Sequence, residues 1–302
     1  MPGNTPIIPR GRKLPLEVLD AVVNLIADKK DLLSICLASK TFCELGQRPL
    51  YRNLQFIFPT TVVKICRSMS RKPALASYVR SLEMAIMSRA MEIINGAFAI
   101  RCYHPFETAL WRLLWPVLRL MTGLKRVIIV VRWNGALELL RKGPFELDIL
   151  HINTNDQLPI SLLQEQASLK EFIFWSTEEP TEATQLAMKA YAAELLPNVR
   201  HIGGRFQILR PLLPGHRLQS CDFLIGPPVM QEELSALLRK TAETSPSMTY
   251  VHLCLKTLSQ LDIKVLSASF SDAVSLYIHI YGGGNRDVRS YSVLRTSQIN
   301  VS

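Results

Sequence analysis

The chain has 302 residues, 48% hydrophobic and 20% charged, with a formal net charge of +10. That balance excludes a disordered chain, and the length gives room for a sizeable core, as one large domain or a small one plus a large one. No apolar run approaches the roughly 18 residues that a bilayer span needs, so no membrane segment is expected.

Residues 1–12 read as a disordered tail. Pro2, Pro6, Pro9, Arg10 and Arg12 leave no apolar stretch of the kind a secretory signal needs. From Leu14 to Tyr51 the spacing predicts three short helices. Leu16, Leu19, Val23 and Ile26 recur at three- and four-residue steps and share one helical face. Pro15 suits a first helical turn, where its missing N–H costs nothing. Asp28, Lys29 and Lys30 break the apolar run, and Asp31 is placed to cap a second helix carrying Leu32, Leu33, Ile35, Cys36 and Leu37. A third helix carries Phe42 and Leu45 and is expected to stop near Pro49.

Beyond Tyr51 short β-like runs recur: 51–58, 79–85, 124–131, 145–152, 169–175, 199–202, 218–225, 250–255 and 274–280. With Val79, Val127, Ile149, Phe172, Val199, Cys221, Val251 and Leu276 as midpoints, the steps are 48, 22, 23, 27, 22, 30 and 25 residues. All but the first lie near the roughly 20–29 residues of a leucine-rich repeat unit. Three runs open alike, with Leu124, Val127 and Ile129, with Leu169, Phe172 and Phe174, and with Leu196 and Val199, a degenerate L-x-x-L-x-L. The Asn ladder of regular repeats is missing.

Helices are expected between the strands at 107–121, with Pro116 as a kink, and at 181–196, 230–242 and 258–270. Gln231, Glu232 and Glu233 put acid where a helix dipole favours it. Strand then helix, repeated, implies parallel strands with helical returns, each unit stacked on its neighbour because it cannot bury its apolar face alone. A compact doubly wound sheet would use the same strands. Residues 282–302 read as a polar cap or loose tail.

The six cysteines, at 36, 43, 66, 102, 221 and 254, form no CxxC pair and have no metal-ligand spacing with a histidine, so no cofactor is expected. Reduced, buried thiols fit cytoplasm or nucleus. The charge is uneven: residues 61–150 hold 14 Lys/Arg against 6 Asp/Glu, whereas 1–60 hold 8 against 5 and 151–302 hold 13 against 14. This basic segment could attract an acidic partner or nucleic acid. Its charges are scattered singly, without a Lys/Arg run or interleaved aromatics, which argues against nucleic acid.

No sequence pattern for catalysis stands out. Gly282-Gly283-Gly284-Asn285 lacks the spacing of a phosphate loop, and Gly203-Gly204 reads as a strand-to-loop exit. Glu178-Glu179 and Glu232-Glu233 are adjacent, so on a helix they diverge rather than converge as an acid/base pair. His151, His201, His252 and His279 each sit in a strand-like run, and stacked strands could align them on one face of the sheet. That face would suit an acidic or metal ligand, although histidine is also tolerated beside aliphatics on an exposed face. Trp111, Trp115, Trp133 and Trp175 read as core or interface fillers.

Leu14, Pro15, Glu17, Val18, Asp31, Leu32, Leu33, Lys40, Phe42, Leu50 and Tyr51 together resemble the F-box, whose pattern is Leu-Pro-x-Glu, spaced Leu/Ile, Asp-Leu-Leu, Lys/Arg-x-Phe and a final Leu-Trp/Tyr. Cys36-Leu37-Ala38-Ser39 departs from the Val-Cys or Val-Ser pair of many members. Residues 74–82, ALASYVRSL, are similar to a helix–strand junction frequent in fungal F-box proteins with degenerate leucine-rich repeats. The resemblance implies an α/β chain (α+β overall) with a three-helix F-box at 13–52 and an irregular leucine-rich-repeat-like solenoid at 53–302. It implies a non-catalytic adaptor that binds a Skp-type protein and, through it, a cullin, and that carries a protein substrate to a ubiquitin ligase. The implied Skp contacts are Leu14, Pro15, Leu16, Val18 and Leu19 with Leu32 and Leu33. Three short helices also have more aliphatics than they can bury among themselves. The alternative is a repeat protein that binds an acidic partner or nucleic acid through 61–150 without assembling a ligase.

Overall fold

A computed structural model describes residues 14–85, 91–94, 97–100, 104–130, 135–154, 156–176, 178–192, 194–213, 216–225, 231–255, 275–281 and 288–294. The chain divides into two compact units, Met1–Asn53 and Leu54–Ser302. Among the described residues no helix is long and apolar enough to cross a membrane.

The first unit holds three helices, α1 (Leu16–Asn24), α2 (Lys29–Ala38) and α3 (Lys40–Arg52). Pro15 stands just before α1, where its fixed φ of −55° leads into the helix. The cap of α2 is Asp28, not Asp31: Asp28 is extended (φ −79°, ψ 123°) and its carboxylate accepts from the Lys30 N–H. Asp31 instead lies in the first turn, where its charge suits the dipole. Ser39 ends α2 and caps α3, its hydroxyl accepting from the Phe42 N–H. Pro49 does not stop α3, which runs through it to Arg52. Val23, Leu32 and Leu45 form the core, with Leu19, Ile26, Ile35, Phe42 and Leu50 packed around them.

The second unit is mixed α/β, built on a ten-stranded sheet of which nine strands are parallel. Its strands are β1 (Asn53–Phe56), β2 (Ser81–Met84), β5 (Arg126–Ile129), β6 (Ile149–Thr154), β7 (Glu171–Ser176), β8 (His201–Arg205), β9 (Ser220–Ile225), β10 (Tyr250–Leu255), β11 (Ser275–Tyr281) and β12 (Val288–Leu294). All nine expected strands are present. β12, antiparallel to β11, forms within the stretch expected to be a cap or tail. A separate hairpin of β3 (Met91–Ile94) and β4 (Ala97–Ile100) lies between β2 and β5 and accounts for the long first step.

Strands lie in chain order across the sheet without the reversal that marks a doubly wound fold. The returns are α4 (Pro59–Arg71) with α5 (Ala74–Ser77), α6 (His104–Leu118), α7 (Ala136–Arg141), α8 (Ile160–Glu165), α9 (Glu182–Ala190), α10 (Phe206–Leu209) and α11 (Gln231–Thr244). The expected helix at 258–270 lies outside the described residues. Parallel connections are almost always right-handed, and advancing in one direction they put the described returns on the same face of the sheet. The burial alternation agrees: along β2, β5, β6, β7 and β9 every second residue is buried and the others are half-buried.

Register shows a stricter repeat than the sequence does. Leu82, Val127, Leu150, Phe172, Ile202, Cys221 and Val251 occupy one row across β2 and β5–β10. Three residues before each stands Val79, Leu124, Leu147, Leu169, Val199, Leu218 or Met248, all buried. Just after these, the carbonyls of Arg80, Lys125, Asp148, Lys170, Arg200 and Gln219 each accept from two successive N–H groups at the start of the next unit. Scattered buried polar groups bond the backbone between these strands. The buried Gln166 amide accepts from the Leu147 N–H and donates to the Phe145 carbonyl. Ser245 accepts from the Leu218 N–H and donates to the His216 carbonyl.

Gly203 and Gly204 lie inside β8, not at a strand exit. Gly204 has φ +134°, and a Cβ there would collide with the Phe174 carbonyl. Only glycine lets β7 and β8 pair at that point.

Candidate functional site

Two surfaces hold the candidate residues. The first is on the N-terminal helices. Along α1, Leu19, Val23 and Ile26 turn inward, while Val18, Val22 and Leu25, each one residue earlier, form an exposed stripe at the same three- and four-residue spacing. On α2, Leu32 points into the core and Leu33 and Leu37, four apart, are exposed. Leu14, at 60% exposure, and Leu16 are also open to solvent, as is Pro15. Leu16 therefore leaves the inward face that its spacing suggested. Of the seven residues singled out for partner contact, Leu14, Pro15, Leu16, Val18 and Leu33 are exposed. Leu32, 2% exposed, is committed to the core, and Leu19 is half-buried against it. A small bundle with so few core positions leaves its remaining aliphatics in water, and burying each would gain roughly 1.5–3 kcal/mol.

The second surface is the half-buried face of the sheet. Strand parity puts His151, His201, His252 and His279 at positions of this one face. His151 Nε2 lies 2.6 Å from Glu171 Oε1, and His252 Nδ1 lies 2.9 Å from Asp222 Oδ1. His201 Nδ1 is hydrogen-bonded to the Ser220 hydroxyl. Burial holds the His201 imidazole below the ordinary histidine range, against the upward pull of Glu171 and Asp222 and with a smaller downward push from His151. Burial also raises the Tyr250 phenol, with Asp222 adding to it. Arg205 donates to the Ser176 carbonyl and sits 3.8 Å from Glu179.

One cluster on this face escaped the sequence. Asp222 and His252 are register partners on β9 and β10, and Cys254 follows His252 on the same face. Their ligand-type atoms all lie within 4.8 Å of one another, with His252 Nε2 3.4 Å from the Cys254 thiol. The signal was available: residues 222 and 252 stand one expected step of 30 apart.

The remaining expectations divide simply. Cys36, Cys43, Cys66, Cys221 and Cys254 are in no disulfide, and burial raises Cys66 to about 11 and Cys221 as well. Trp111 and Trp115 are half-buried on α6, with the Arg119 guanidinium 5.0 Å from the Trp115 ring. Trp175 lies on the half-buried face of β7. Trp133, Cys102 and the 282–285 glycine run fall outside the described residues.

No protein-family model matches this chain, and no curated protein shows significant sequence similarity to it.

Proposed function

We propose that the chain is a non-catalytic adaptor whose N-terminal helices act as an F-box and whose sheet unit, an irregular leucine-rich-repeat-like solenoid, holds a protein substrate. The observation that carries this reading is the exposed apolar set Leu14, Leu16, Val18 and Leu33, at positions where the F-box pattern places its Skp contacts. A nanomolar complex needs about 12 kcal/mol net, within reach of a few buried leucine anchors and a polar rim. Leu19 and Leu32 support that surface from below by fixing the helices that carry it. The repeat reading rests on the strand order, the constant row of buried residues and the shared carbonyl at each step. Function then follows from proximity: one end engages a Skp-type protein and its cullin, the other raises the local concentration of target lysines at the transfer site.

The test is binding of the full chain to a purified Skp-type protein. Wild type is expected to form a stable complex. Leu14→Ala with Pro15→Ala, and separately Leu16→Asp with Leu33→Asp, should lose at least about tenfold in affinity while the sheet unit keeps its circular dichroism. Both variants binding at wild-type strength would overturn the assignment of this surface.

A further inference from the structure

We propose that Asp222, His252 and Cys254 form a site for a zinc-class divalent ion on the half-buried face of the sheet, independent of how the N-terminal helices are read. Cys254 supplies the thiolate and His252 the Nε2 lone pair. Asp222 orients the imidazole.

The geometry carries the assignment. A zinc-class ion sits about 2.3 Å from sulfur and about 2.0–2.1 Å from imidazole nitrogen, which at a tetrahedral angle separates the two donors by roughly 3.5–3.6 Å and at a slightly narrower angle by about 3.4 Å. Cys254 Sγ and His252 Nε2 are 3.4 Å apart. On the other side of the ring, Asp222 Oδ1 is 2.9 Å from Nδ1. A carboxylate there holds the proton on Nδ1 and turns the Nε2 lone pair toward the thiol, the carboxylate–histidine–metal arrangement of many metal centres. Ion binding displaces the thiol proton to solvent, so the trio exchanges one proton for one ion.

The fold explains why these three meet. His252 and Cys254 are two apart on β10, so both project to the same face. The parallel register puts Asp222 of β9 directly beside His252. Tyr250 and Tyr277 place their rings 6.5 Å from the imidazole, and Cys254 is only 7% exposed. Such shelter from water strengthens a thiolate–cation bond. The order thiol, imidazole, carboxylate would also suit a nucleophilic cysteine. The 7% exposure favours the ion, which can reach a sulfur that a bulky acyl group cannot.

Cobalt(II) is the probe, added to the metal-free full chain. One equivalent is expected to give a thiolate-to-cobalt charge-transfer band and intense visible d–d bands, both displaced by zinc. Cys254→Ser, with unchanged circular dichroism, should lose the charge-transfer band even though Cys36, Cys43, Cys66, Cys102 and Cys221 remain. His252→Asn should weaken binding strongly, and Asp222→Asn by about 10–100-fold, the effect typical of an orienting carboxylate. Absence of the band in wild type, or its persistence in Cys254→Ser, would overturn the site. So would a Cys254 that binds no ion but alkylates rapidly at pH 6 only when His252 is present, which would mark a nucleophilic thiol instead.

Discussion

Gly46 of α3 faces Cys36 of α2 so closely that a Cβ added to the glycine would stand 2.6 Å from the cysteine sulfur. The two helices approach because this position has no side chain. Alanine would ordinarily favour the helix by about 0.8–1 kcal/mol over glycine. Here the clash should win, and Gly46→Ala is expected to destabilise the N-terminal unit by roughly 1–3 kcal/mol. Adding Cys36→Ala removes the obstructing sulfur, so the double variant should be more stable than the two single effects predict. Hydrogen exchange of α2 and α3 amides would measure the coupling, and simple additivity would contradict the close approach.

Leu32 and Leu33 are neighbours with opposite duties. Leu32 is buried with Val23 and Leu45, whereas Leu33 is exposed. Leu32→Ala should cost about 2–5 kcal/mol and raise hydrogen exchange throughout the three helices. Leu33→Ala should change stability by no more than about 0.5 kcal/mol yet weaken the proposed complex with a Skp-type protein. Equal loss of protection in both variants would show that Leu33 is not a surface residue.

The elements were legible where a local pattern sufficed. Every strand of the parallel run could be read from its β-branched and aromatic cluster, and α1–α3 from apolar spacing. Register could not. The spacing makes Ile149 equivalent to Val127, whose row is occupied by Leu150. The spacing makes Val199 equivalent to Phe172, whose partner is Ile202, three residues later. A slip of one residue flips every side chain to the other face. That is why the alignment of the histidines is not legible in the sequence. The Asp222–His252 pairing lies on a step of 30 that the spacing gives correctly, and it stays hidden only because its members are far apart along the chain. Polar residues such as Arg289, Ser290 and Ser292 break the strand-like pattern of β12, which pairs antiparallel with β11. The cap at Asp28 was missed because two acids lie three residues apart and only backbone geometry decides between them.

Gly204 stands where the neighbouring strands place a core side chain, Phe174 of β7 and Phe223 of β9. Its positive φ and the adjacent Phe174 carbonyl both forbid a Cβ. Gly204→Ala should therefore destabilise the sheet unit by several kcal/mol, on the order of 3, through backbone strain and loss of β7–β8 pairing. Gly203→Ala meets only close van der Waals contacts, with the Asp222 carbonyl at 3.1 Å, and should cost less. Thermal unfolding of the two variants would rank them, and the reverse order would contradict the register at β8.

The partial burial of His201 makes stability depend on acidity. Its folded-state value lies below the ordinary 6.5, because burial outweighs the attraction of Glu171 and Asp222. Below pH 6.5 the unfolded chain takes up a proton at this position more readily than the folded one, so acid favours unfolding. The contribution is fully present above pH 6.5 and is lost as the pH falls through the lower folded-state value. Replacing the ring by an amide that can still bond the Ser220 hydroxyl, as in His201→Gln, removes this titration. Urea midpoints between pH 5 and 7.5 should then fall less steeply for the variant than for wild type. A wild-type profile no steeper than that of the variant would show that His201 is not buried as a neutral ring.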